Sequence, residues 1–77
     1  MNVNILIFGQ LTDITGTSVV SINHVADTDL LLNKLYTQYP LLKEKKFLIA
    51  VDNQIIHKKT EIGEQVQIAL LPPFSGG

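Results

Sequence analysis

Val3-Asn4-Ile5-Leu6-Ile7-Phe8-Gly9 is the stretch on which the fold turns. Val3, Ile5, Leu6, Ile7 and Phe8 form a short apolar run broken only by Asn4, and Gly9 ends it. A run this short and this rich in β-branched residues predicts a strand over Val3–Phe8, buried on both faces. Such a strand belongs inside a sheet, so the remaining chain has to supply its neighbours and a cover. Gln10–Thr15 reads as a connector with room for one helical turn, closed by Gly16. Thr17–Asn23 mixes β-branched and polar residues, as an edge strand does, with Val20 and Ile22 on one face. The two strands form a hairpin with a long connection.

Downstream, Ala26-Asp27-Thr28-Asp29 opens a helix. Asp27 or Thr28 can cap it, and the acids suit the positive end of its dipole. Leu31, Leu32, Leu35, Tyr36 and Tyr39 recur at helical spacing and make the buried stripe, until Pro40 stops the helix. Lys46–Val51 is a third strand, Asp52-Asn53 a turn, and Gln54–His57 a short fourth strand. Thr60–Gly63 reads as a turn. Gln65–Leu71 is the last strand, with Val66, Ile68 and Leu70 alternating against Gln67 and Ala69. The order β-β-α-β-β-β commonly sets the first and last strands side by side at the centre. The class is α+β: a β-grasp, or ubiquitin-like, fold, with a mixed sheet of four to five strands packed on one main helix and an extended C-terminal tail. Residues 1–77 read as a single domain, with 72–77 as a flexible tail.

Composition narrows the function. A chain of 77 residues buries only about 60% of its unfolded surface, yet 45% apolar residues are enough for one core. A charged fraction of 17% is low and leaves apolar surface for a partner. Six lysines stand against seven acids with no arginine, which argues against nucleic acid as a partner. Lys43, Lys45 and Lys46 follow the helix and read as a solvated loop. The lack of cysteine excludes disulfides, a cysteine nucleophile and thiolate metal sites. His24 and His57 are isolated, so no metal site is expected. Neither a signal peptide nor a membrane-spanning run is seen, which makes a cytoplasmic protein with no membrane partner the default.

The C-terminal Pro72-Pro73-Phe74-Ser75-Gly76-Gly77 is the chemically distinctive segment. Extended, six residues reach up to about 20 Å. The two prolines stiffen the root, and the two glycines give the tip the least bulk, so it can enter a narrow channel. The carboxylate of Gly77 is unreactive when free, with a pKa of roughly 3.3–3.7, and becomes an acyl carrier only when another enzyme activates it.

The ending Leu70-Leu71-Pro72-Pro73-Phe74-Ser75-Gly76-Gly77 resembles the F-P-P-x-S-G-G ending of the small, sulfur-carrying subunits of molybdopterin synthase. Ile5 through Gly16 is similar to that family's opening strand and following loop, with Thr12 and Asp13 where the family often carries arginine and glutamate. Tyr39-Pro40, the Ala50–Gln54 hairpin and the Ile62–Val66 turn fall in the expected order, with Val-Asp-Asn-Gln where Val-Asn-Gln is common. The resemblance implies that a separate activating enzyme uses ATP and magnesium to adenylate Gly77, which then becomes a thiocarboxylate. It implies insertion of Pro72, Pro73, Phe74, Ser75 and Gly76 into a channel of the large synthase subunit, in a heterotetramer, and transfer of sulfur to a pterin precursor. The chain itself would bind no cofactor and would not be catalytic alone. Phe8, Leu70, Leu71 and Phe74 are the candidate docking residues; for Phe8 and Leu70 a place in the core is equally open. The sulfur carrier of thiamine thiazole synthesis shares fold and diglycine but does not usually carry Pro-Pro-Phe. A ubiquitin-like modifier that forms lysine conjugates, and an interaction module with an inert tail, are the remaining alternatives.

Overall fold

A computed structural model describes residues 2–73. Strand β1 (Asn2–Ile7) leads through a 3₁₀ turn (Gly9–Leu11) and a one-turn helix α1 (Thr12–Thr15) to β2 (Val19–Asn23). Helix α2 (Thr28–Gln38) and a second 3₁₀ turn (Pro40–Glu44) precede β3 (Leu48–Val51), β4 (Gln54–Ile56) and β5 (Ile68–Leu71). The five strands form one sheet in the order β2-β1-β5-β3-β4. β1 and β5 are parallel neighbours, with Ile5 opposite Ile68 and Ile7 opposite Leu70, while the other pairs are antiparallel. The first and last strands thus lie side by side inside the sheet, as the element order predicts.

The expectation that β1 is buried on both faces is overturned. Val3, Ile5 and Ile7 are buried, Leu6 is half-buried, and Asn4 and Phe8 are exposed. The cause is that the cover is one-sided: Leu31, Leu35 and Leu42 pack against the face carrying Val3, Ile5, Ile7, Val20, Ile22, Ile68 and Leu70. Successive residues of a strand point to opposite faces, so only alternate residues of β1 meet that cover.

α2 starts where the capping chemistry is strongest. Of the two candidate caps, Asp27 acts: its carboxylate accepts the Leu30 N–H at 3.0 Å. Thr28 is buried and fixes the 60–62 segment instead, its N–H donating to the Thr60 carbonyl and its hydroxyl accepting the Thr60 N–H. Ile62 donates to the Ala26 carbonyl, and its side chain joins the core. Leu31 and Leu35 of the predicted stripe are fully buried, with Leu32, Tyr36 and Tyr39 packed around them.

Several boundaries move: β1 spans Asn2–Ile7, β2 begins at Val19 and β4 ends at Ile56. The stretch after Pro40 is a 3₁₀ turn that buries Leu42 completely, rather than a wholly solvated loop; its lysines do point to solvent. β3 begins at Leu48, because Phe47 turns toward Tyr36, with ring centroids 6.5 Å apart. β5 begins at Ile68, because Gln65 adopts a φ of +62° in the preceding turn. The β3–β4 hairpin closes on Asp52 and Asn53, both at positive φ, which suits the right-handed twist of the strands. Asp52 also clasps the approach to β5, accepting the Gln67 N–H at 2.9 Å on its carboxylate and donating its own N–H to the Gln67 carbonyl.

Candidate functional site

Among the described residues no helix lies over the sheet face away from α2, and the residues of that face can be read from the pairing. Val19, Leu6, Ala69, Ala50 and Ile55 lie in register across all five strands. Leu71 pairs with Leu48 in the next row toward the tail, and Phe8 extends it, its N–H donating to the Leu70 carbonyl at 3.1 Å. One row in the opposite direction the chemistry changes to Ser21, Asn4, Gln67 and Asp52, with the Ser21 hydroxyl donating to the Asn4 side-chain carbonyl. The open face is therefore apolar on the half next to the tail and polar on the other. Phe8 is 45% exposed and Val19 42%, while Leu6, Leu48, Ile55, Ala69 and Leu71 are half-buried. A shallow depression of about 360 Å³ lies among Leu6, Phe8, Ile55, Ala69 and Leu71. This continuous apolar patch makes the open face the candidate interaction surface.

The root of the tail is fixed to this patch. β5 ends at Leu71 because Pro72 has no N–H to continue the ladder. Pro72 packs on Gly9, which sits at φ +61°; a Cβ there would lie 2.8 Å from the Pro72 Cγ. Gly9 thus lets the proline ring lie flat against the first turn, where any side chain would push it away. Pro72 is half-buried and Pro73 exposed. A second groove, of about 270 Å³, runs beside the prolines between Gln10, Ile14, Lys45 and Lys46.

Of the four candidate docking residues, Phe8 and Leu71 share the open apolar face next to the tail root. Leu70 does not: its side chain is fully buried beneath the sheet, because the residue before Leu71 in a strand points to the opposite face. It is a core residue and is withdrawn as a docking candidate. Phe74, Ser75, Gly76 and Gly77 lie outside the described residues. Gly9, Leu6, Ala69 and Ile55 were missed. The alternation of Leu6 and Phe8 against Ile5 and Ile7 was the available signal for the first strand. His24 is tied to the backbone, with its ring Nε2 3.0 Å from the Ile62 carbonyl oxygen, and His57 is exposed. Among the described residues no three His, Cys, Asp or Glu side chains gather as a metal cluster.

Comparison with known proteins gives a consistent picture. The profile of the ThiS family matches residues 5–77. A protein of Caenorhabditis briggsae called "Molybdopterin synthase sulfur carrier subunit" is 30% identical, over 100% of this chain and 99% of its own length. Its namesake in Caenorhabditis elegans is 28% identical over the same shares. Among solved structures, SAMP1 from Haloferax volcanii superposes with a TM-score of 0.79 over all of both chains at 18% identity, a likeness of fold alone.

Proposed function

This chain belongs to the ThiS family, and from that membership we propose that it is a sulfur carrier, the small subunit of a molybdopterin synthase. The observation that carries the reading is that the family match runs through the tail to Gly77. In this reading the Gly77 carboxylate attacks the α-phosphorus of ATP on a separate magnesium-dependent activating enzyme, and pyrophosphate leaves. A sulfur nucleophile then adds to the carbonyl carbon, AMP departs, and a thiocarboxylate remains. Its sulfur bonds to a carbon of a pterin precursor held by the large subunit, water cleaves the resulting thioester to return the Gly77 carboxylate, and two such deliveries build the dithiolene.

The chain's own part is presentation rather than catalysis. Phe8 and Leu71 form the docking surface, next to the root of the tail. Pro72, seated on Gly9, sets the direction in which the tail leaves, and Pro73 extends it. Restricting the tail before it binds lowers the ordering cost of inserting it. Phe74 then serves as an anchor in a partner pocket and Ser75-Gly76-Gly77 as the thin tip, with acid–base and anion-binding groups supplied by the partners.

Purified together with its activating system, the chain should gain the mass of sulfur replacing one oxygen at its C-terminus. Unmodified carboxylate alone under those conditions counts against carriage, and lysine-linked conjugates favour a protein modifier. Reconstitution with a molybdopterin synthase large subunit and precursor pterin separates this reading from sulfur carriage for thiamine thiazole synthesis. The names of the relatives and the Pro72-Pro73-Phe74 tail favour the pterin as acceptor.

A further inference from the structure

Lysines that are far apart in sequence meet on one side of the molecule. Lys45 and Lys46, after the second 3₁₀ turn, and Lys58 and Lys59, after β4, rim one groove of about 450 Å³ between α2 and the β3–β4 hairpin. Lys43 stands at its end, its ammonium 5.8 Å from the centre of the Tyr36 ring. Five of the six lysines of a chain with net charge −1 are therefore collected here. The floor is apolar: Leu32, Tyr36, Phe47 and Ile56 line it. Lys45 and Lys46 also line the groove beside Pro72 and Pro73, so the basic rim runs on to the root of the tail.

We propose that this groove is a second docking site, for an acidic polypeptide segment bearing a bulky apolar side chain, on the protein that receives the tail. The apolar residue would cover Leu32, Phe47 and Ile56 while flanking carboxylates meet Lys45, Lys46 and Lys58. A protein engaged with the tail lies against Lys45 and Lys46, which is why the occupant is placed on that same protein; this part rests on the carrier reading above. A nucleic-acid strand fits less well. Asp29 interrupts the positive lining, no arginine is present, and the aromatic rings lie half-buried at 60° to one another instead of offering stacking faces. Charges placed this way govern the encounter rate and its salt dependence more than the final affinity.

The test is a heteronuclear NMR titration of the full chain with a synthetic peptide of alternating glutamate and leucine. The expected result is shifts at the amides of Lys45, Lys46, Phe47 and Lys58, with affinity falling about tenfold in the variant Lys46→Glu/Lys58→Glu and falling again as salt is raised. Lys59 is left unchanged because its ammonium lies 3.9 Å from Asp27, the cap of α2. Shifts confined to Phe8 and Leu71, no shifts at all, or stronger shifts from a single-stranded oligonucleotide would overturn the site. The unchanged spectrum of the variant outside the substituted positions verifies that it is folded. No step of this titration uses the chemistry of Gly77, so its failure leaves sulfur carriage standing, and a failure to form thiocarboxylate leaves the groove standing.

Discussion

The two faces of the sheet are made from alternate residues of the same strands, and both are apolar near the tail, yet they do different work. On the covered face Ile5, Ile68 and Leu70 meet Leu31, Leu35 and Leu42 and are fully buried. On the open face their immediate neighbours Leu6, Ala69 and Leu71 meet no helix among the described residues, and remain half-buried. Apolar area in the first set is already removed from water in the isolated chain and stabilises the fold. Apolar area in the second set is left available for association. A one-residue change of parity therefore separates a core residue from one left on the open face, and Leu70 and Leu71 form the sharpest pair.

That contrast can be broken by substitution. Leu70→Ala should destabilise the domain by about 2–5 kcal/mol, measured by urea unfolding, since it opens a cavity under the central strand. Leu71→Ala should cost less than about 1 kcal/mol on the same assay. Equal losses from the two would mean that the faces are not separate in function. Gly9→Ala sits at the junction of the faces. Its positive φ and the close approach of Pro72 predict a loss of about 1–3 kcal/mol in thermal or urea unfolding, with a misdirected tail that raises the KM of the proposed adenylation. Asp27→Ala removes the cap of α2 and so should weaken the covered face by about 1 kcal/mol in urea unfolding. Phe8→Ala should be the mildest for folding, within about 0.5 kcal/mol. It should still weaken binding to the large subunit about tenfold or more, if Phe8 anchors the interface.

What could be read in advance follows the range of the interactions. The helix is written locally: Asp27 caps it, Leu31 and Leu35 repeat at its period, and Pro40 ends it. The edge character of β2 is likewise local, with Val20 and Ile22 buried as their spacing predicts. The covering of β1 was misread because a run of Ile, Leu, Ile and Phe looks the same whether one face or both are packed; only the one-sided placement of α2 decides. Leu42 was hidden among lysines and a proline, where a single apolar residue carries no period. Gly9 against Pro72 joins positions at opposite ends of the chain, and no local pattern announces such a contact. The lysine groove was illegible for the same reason, since Lys45-Lys46 and Lys58-Lys59 are brought together by the β3–β4 hairpin. Phe8, Leu70 and Leu71 group together by apolar character alone; the alternation of faces, fixed only by the sheet register, puts Leu70 in the core, one of its two open readings, and leaves Phe8 and Leu71 on the open face.

The parallel pairing of β1 with β5 has a consequence for how the protein is made. The strand between β1 and β3 is the last of these five to be synthesised. While the ribosome adds about 5–20 residues per second, the β1–β2 hairpin and α2 emerge with a gap where the sheet should join. The gap closes only when Ile68–Leu71 is free to enter it, so a chain cut short before that point is left with two unpaired inner edges and an unfilled core. Such products are open to proteases and to aggregation. A domain that has closed has, for that reason, already been translated as far as the root of its tail.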